Sequence, residues 1–291
     1  MKKILILLLG NFMVLFCQGQ RPANDYSAEL ARQIEPARKI VYKSIAGQDL
    51  QLHIFEPSGF KLSDRRACFV AIHGGGWSGG NARRFYAFAY ELAKRGMVGI
   101  SIEYRLFNAS LGNTVFECVK DGRSAVRYIR GHAADFGIDP GKVIVCGGSA
   151  GGQIAAGTAF FDHVNEVSDN LDISARPDAL VLYYSVLDTS EEGCGHHHQK
   201  FGDRWRELSP LHQVRSGAPP TIVFHGTGDT VASFAGAKAF QKAMTDAGNR
   251  CDLIVKEGGR HGYLIFDKGF YEEAIRQTVS FLRSLGYTIK D

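Results

Sequence analysis

The chain has 291 residues, 45% of them hydrophobic and 22% charged, with a formal net charge of +4. That length suits one large α/β domain, and neither a repeat nor a low-complexity tract interrupts it. The charge excess is small and no basic run is interleaved with aromatics, which argues against a nucleic-acid partner.

Residues 1–19 read as a secretion signal. Lys2 and Lys3 form the charged start, and residues 4–16 form an apolar run too short for a comfortable membrane span. Cys17 and Gly19 stand at −3 and −1 of a cleavage site after Gly19. A secreted or periplasmic location follows. Membrane attachment enters only under a second reading, in which Cys17 is lipidated. Setting Cys17 aside leaves five of the six cysteines, an odd number, so this is not a disulfide scaffold. Cys68 and Cys146 lie in apolar runs and read as core.

A short helix is expected near residues 28–33. Residues 40–45 and 50–55 alternate apolar and polar around Ala46-Gly47-Gln48-Asp49, the pattern of an edge hairpin. Residues 67–72 form an apolar central strand, followed by a helix over 82–95, a strand over 97–102 and a long helix over 114–134. The run Val143-Ile144-Val145-Cys146 reads as a buried strand. It leads through Gly147-Gly148-Ser149-Ala150-Gly151 into a helix ending near 161. Strands over 179–184, 221–225 and 252–256 follow, with helices over 234–247 and 270–285. The last of these turns Ala274, Ile275, Thr278, Phe281 and Leu282 inward. Strands alternating with helices predict a mostly parallel sheet of about eight strands, helices on both faces and the site at the strands' carboxyl ends.

Ser149 sits where a strand turns directly into a helix. That corner forces an unusual backbone shape and leaves no room for side chains two positions either side, where Gly147 and Gly151 stand. The hydroxyl is then presented at the positive end of a helix dipole. A serine needs a base, and the base needs an acid to hold its tautomer. His261, in Gly259-Arg260-His261-Gly262, and Asp229, in His225-Gly226-Thr227-Gly228-Asp229, each follow a strand. The chain order Ser149, Asp229, His261 fits this arrangement. Glycine backbone in His73-Gly74-Gly75-Gly76-Trp77, after the central strand, can bring N–H donors to a developing oxyanion, with the Ala150 N–H as a further donor. His73 and His225 read as structural.

Together these motifs resemble the α/β-hydrolase superfamily, and within it the esterases related to hormone-sensitive lipase and bacterial carbohydrate esterases. The resemblance covers residues 38–286 and includes Glu103-Tyr104-Arg105-Leu106. It implies a single catalytic domain with Ser149 as nucleophile, Asp229 and His261 completing a triad, and Gly75, Gly76 and Ala150 as the oxyanion hole. Gly148 stands where the lipase group carries an acid, and Phe107-Asn108-Ala109 replaces its Ala-Pro-Glu. Both departures point toward the carbohydrate-esterase side and a small cap or none.

Residues 185–212 are the least legible stretch. His196, His197 and His198 are adjacent in a glycine-rich segment, a spacing that rarely converges on one ion, so no metal is assigned. The stretch reads as a mobile loop, or as one whose Phe201 and Trp205 rim a pocket. Trp77, Trp205 and Tyr263 are the candidate substrate contacts. The resulting expectation is a secreted, cofactor-independent serine esterase acting on short acyl groups, acetyl on plant polysaccharide above all, with activity falling at about pH 6–7 as the base protonates. The alternatives are a peptidase of the prolyl-oligopeptidase type and a non-catalytic binding module on the same fold.

Overall fold

A computed structural model describes residues 25–45 and 47–291. The leader read at residues 1–19, with Cys17, lies outside the described residues. The elements in chain order are α1 (Tyr26–Arg32), β1 (Arg38–Ile45), β2 (Gln48–Phe55), β3 (Arg66–Ile72), α2 (Tyr86–Lys94), β4 (Val98–Ile102), α3 (Val115–Gly131), β5 (Ile138–Gly148), α4 (Ala150–Phe160), β6 (Ala179–Tyr183), α5 (Glu191–Cys194), β7 (Thr221–Gly226), α6 (Phe234–Asp246), β8 (Cys251–Lys256), α7 (Tyr263–Phe266) and α8 (Lys268–Ser284).

All eight strands form one sheet in the order β1-β2-β4-β3-β5-β6-β7-β8. β2 runs antiparallel to β1 and β4, and every other pairing is parallel. β1 shows the alternating exposure of an edge strand, whereas β4, β6 and β7 are buried at every residue. That difference reflects helices covering both faces of the parallel part.

The two-residue period of a strand divides the core in two. On one face Val70, Ile72, Ile100, Val143, Val145, Leu180 and Val223 pack with residues of α3, α4 and α6. On the other, Phe69, Ala71, Ile144, Cys146, Val181, Tyr183 and Phe224 pack with α1, α2 and α8. The inward set on α8 includes Ala274, Ile275, Thr278, Phe281 and Leu282, all buried. Thr114 opens α3 with a reciprocal capping box to Glu117. α4 is buried along its whole length, which its alanines and glycines permit.

The helix expected over 82–95 is divided. Asn81 caps a 3₁₀ turn, Ala82–Phe85, before α2 begins. Residues 185–212, expected as a loop, instead hold α5 and the 3₁₀ segments Gly195–Lys200, Gly202–Leu208 and Pro210–Gln213. Phe201 and Leu208 anchor this stretch in the core, and the Thr189 hydroxyl donates to the Trp205 carbonyl at 2.8 Å. The five cysteines from Cys68 to Cys251 are all buried free thiols. Among the described residues no helix is long and apolar enough to cross a membrane.

A buried ionic network ties β1, the end of β4 and α3 together. Asp121, fully buried on α3, accepts from the Arg105 N–H, Nε and Nη2, each at 2.8 Å, and from Lys43 Nζ at 2.6 Å. Glu166 takes the remaining reach of both cations, at 2.8 and 2.9 Å. Removing one member strands buried charge, which costs more than the intact cluster contributes. Asp121→Ala is therefore expected to lower folding stability by about 3–5 kcal/mol, read from urea unfolding midpoints. A loss under 1 kcal/mol would show the cluster to be dispensable.

Candidate active site

β3 and β5 lie side by side at the sheet centre, and chain connections depart from them in opposite directions. The carboxyl end of such a switch point is where an open sheet leaves a crevice. Ser149 follows β5 at that edge. Its φ of +55° is the strained corner expected from the sequence. The strain is over-determined by main-chain bonds. Ser149 N–H donates to Tyr183 O, and its carbonyl accepts from Gly152, Gln153 and Val186. A Cβ at Gly147 would sit 2.2 Å from Gly151 O, and one at Gly151 would sit 2.3 Å from Ile72 O, so any side chain would force the corner open.

The three side chains singled out by order meet at this corner. The Ser149 hydroxyl lies 2.9 Å from His261 Nε2, and His261 Nδ1 lies 2.8 Å from Asp229 Oδ2. With its ring proton on Nδ1, the imidazole donates to Asp229 and accepts from the serine. Asp229 has a fully buried side chain, and its other oxygen accepts from the Val231 and Ala232 N–H groups at 2.9 Å each. Burial raises its pKa. The His261 hydrogen bond and charge, with the two main-chain donors, outweigh burial and hold the carboxyl below its ordinary range. The carboxylate is thus ionised and its orientation fixed.

The loop after β3 packs directly on the serine. A Cβ at Gly74 would lie 3.0 Å from Ser149 Cβ. Gly75 adopts φ +133°, and a Cβ there would sit 2.1 Å from Gly79 O, so only glycine can make this turn. Among the described residues the N–H groups of Gly75, Gly76 and Ala150 have no acceptor in the protein. Unpaired donors beside a nucleophile are what a developing oxyanion requires.

Several supporting residues are explained by this loop. His73 Nδ1 donates to Gly74 O at 2.9 Å, and the Tyr104 ring stacks on His73 at 4.4 Å while its hydroxyl donates to His73 O. The Glu103-Tyr104-Arg105 stretch therefore supports the loop on one side and joins the ionic network on the other. His225 donates Nε2–H to Ala232 O, steadying the turn that carries Asp229.

Trp77 is not a substrate contact. It is fully buried, has φ +63° and donates its indole N–H to Gln153 Oε1 at 3.0 Å. The left-handed backbone turns its ring inward beneath the loop, and Gln153 carries the link on to Leu208 O. Trp205 is half-buried, packed edge-on to His198 and His212. Tyr263 is half-buried against Phe270, and burial pushes its phenol up to about 12. Phe201, expected at a rim, is buried edge-on to Trp77 at 5.0 Å.

The three adjacent histidines part company. His198 bonds Thr189 O, His197 packs edge-on to Trp77, and His196 lies against His197. Among the described residues no cluster of His, Cys, Asp or Glu is arranged to hold a metal.

Sequence reasoning missed Tyr184. Its φ is +38°, and its ring meets His261 edge-on at 5.2 Å. A Cβ at Gly148 would lie 2.7 Å from Tyr184 Oη and 2.6 Å from Phe85 Cζ. The space that a side chain at position 148 would need is occupied by two aromatic rings.

The fold and this hydroxyl–imidazole–carboxylate chain define an α/β-hydrolase with a serine-centred site. The BD-FAE family matches residues 52–244, and the chain belongs to that family. It is similar to the esterase LipQ of Mycobacterium tuberculosis, at 26% identity over 69% of this chain and 51% of LipQ. It is also similar to endo-1,4-beta-xylanase B of Butyrivibrio fibrisolvens, at 26% identity over 71% of this chain and 34% of that protein. Among solved structures, the propionate-bound thermophilic esterase Est2 of Thermogutta terrifontis is 36% identical with a TM-score of 0.81, covering 87% of this chain and 95% of that one. The chain spans about half the length of the first curated relatives it matches.

Burial, with the Arg84 charge, pushes His73 down to about 4 against the hydrogen bond to Gly74 O and the Glu103 charge. The folded protein thus keeps His73 neutral, while the unfolded chain takes up a proton below the ordinary value of 6.5. Stability falls as pH drops through that window, by about 1.4 kcal/mol per pH unit for one such group. Urea midpoints between pH 7 and 4 should show His73→Gln less stable at pH 7 but with a slope shallower by one proton. An unchanged slope would remove His73 from the acid response.

Proposed function

We propose that this protein is a serine esterase that hydrolyses short-chain carboxylic esters through an acyl-enzyme. The observation that carries the reading is the unbroken hydrogen-bonded chain from Ser149 through His261 to buried Asp229, set against a loop with unpaired main-chain N–H groups. In this reading His261 accepts the Ser149 proton as the oxygen attacks the ester carbonyl. The carbonyl oxygen gains negative charge against the N–H groups of Gly75, Gly76 and Ala150. His261 then gives its proton to the departing alcohol. Water repeats the sequence on the acyl-serine and releases the acid. Each step uses only side chains and main chain named above.

The similarity to LipQ and to Est2 supports the ester bond as the target. Short acyl groups are supported by the propionate bound to that Est2 structure and by the butyrate bound to another. Acetyl groups on plant-type polysaccharide are the natural substrate we favour. The support is the resemblance to carbohydrate esterases and the similarity to a protein named as a xylanase. We place the mature protein outside the cytoplasm, on the strength of residues 1–19.

The purified chain should cleave p-nitrophenyl acetate and butyrate in preference to longer esters, release acetate from acetylated xylan fragments, and bind a fluorophosphonate probe. Ser149→Ala should abolish probe labelling and reduce kcat by at least about 10³-fold. Turnover of a peptide anilide without ester hydrolysis would favour the peptidase reading, and no labelling at all would favour a binding module. Protein recovered from the culture medium or periplasm should begin at Gln20. An intact Met1 would overturn the leader.

A further inference from the structure

The 3₁₀ segment Gly195–Lys200 reaches across from the stretch after β6 to the glycine loop after β3. Lys200 Nζ donates to Gly76 O at 2.6 Å and to Ser78 Oγ at 2.6 Å, and it stands 5.3 Å from the Phe107 ring centroid. His197 closes the same side, with Cε1 3.3 Å from where a Gly76 Cβ would be. Neither contact was legible in the sequence.

Three successive carbonyls of the loop are held. Gly74 O accepts from His73 Nδ1, Gly75 O from Gly79 N–H at 3.1 Å, and Gly76 O from Lys200 at 2.6 Å and from the Ser78 hydroxyl at 3.4 Å. A trans peptide is planar, with N–H and C=O pointing opposite ways. Holding each carbonyl therefore aims the next N–H, of Gly75, Gly76 and Trp77 in turn, to the opposite side. Lys200 is the one charged donor among them, and the nearer of the two on Gly76 O. It holds the peptide with most reason to turn. Gly76 has φ +60° and Trp77 has φ +63°, and a left-handed tryptophan is strained. Rotating the Gly76–Trp77 peptide would bring Trp77 φ back to negative values. It would also swing the Gly76 carbonyl, with its partial negative charge, to the side that the Trp77 N–H now occupies.

We propose that Lys200 is a positioning residue that locks the Gly76–Trp77 peptide and so keeps the oxyanion loop in its donor-outward state. Its catalytic consequence rests on the esterase reading above, whereas the lock itself does not. The ammonium holds the strained peptide by one short charge-assisted hydrogen bond and the nearby Ser78 hydroxyl by a second, from an element 124 residues away in sequence.

The test compares Lys200→Met, which keeps the stem without the charge, with Lys200→Arg. On p-nitrophenyl acetate, kcat in Lys200→Met should fall by about 10- to 100-fold with KM within about twofold. Affinity for a trifluoromethyl ketone should fall in step with kcat/KM, and Lys200→Arg should recover most of both. A merely structural role would instead lower the folded fraction and leave the active molecules unchanged. The amide resonances of Gly76 and Trp77 in ¹⁵N-labelled protein read the peptide without any substrate, and in Lys200→Met they should shift or split. Unmoved amides overturn the lock whether or not the protein hydrolyses esters. Moved amides with unchanged kcat and ketone affinity overturn its link to catalysis. Moved amides in a protein whose wild type hydrolyses no ester overturn the esterase reading and leave the lock standing.

Discussion

The whole arrangement depends on one sterically crowded corner. β5 enters α4 with no intervening loop, and Ser149 is held at positive φ by four main-chain hydrogen bonds. Gly147 and Gly151 flank it bare because the backbone of β3, β5 and α4 meets there at contact distance. Strain of this kind, about 1–3 kcal/mol, persists only where surrounding structure over-determines it. Here the parallel core supplies that insistence, with strands buried on both faces and a helix buried along its length. The hydroxyl is thereby fixed in space before any partner is considered.

From that fixed point the other groups arrive by topology. Parallel strands deliver all their following loops to one edge, so Asp229 after β7 and His261 after β8 need only short turns to reach Ser149. The glycine loop comes from the neighbouring strand β3. The Glu103-Tyr104-Arg105 stretch connects this edge to the ion cluster around Asp121. Tyr104 stacks on His73, and the next residue is anchored three times to one buried carboxylate. Stability and site geometry thus share the same residues at the end of β4.

Much of this was legible in the sequence because it rests on local rules. The Val143–Cys146 run, the glycines flanking Ser149, and a histidine and an aspartate each following a strand all declare themselves by type and position. What was not legible depends on backbone angles and long-range packing. Trp77 reads as an aromatic beside a site, but its left-handed φ turns the ring into the core, toward Gln153. Gly148 reads as a missing acid, and only the positions of Phe85 and Tyr184 show that no side chain fits. The segment from 185 to 213 has no apolar period because it is a chain of single turns. Its order comes from Phe201, Leu208 and bonds such as that from Thr189, partners that no spacing rule reveals.

The five buried thiols carry a consequence for how this protein can be made and handled. Burial raises the pKa of every one of them, to about 12 at Cys194 and Cys251 and further at the others. Thiolate is the form that reacts with oxidants and alkylating reagents, so the native state silences all five. Among the described residues the fold is therefore held together without a disulfide. The cysteines instead act as built-in reporters, since each becomes modifiable only when the element around it opens.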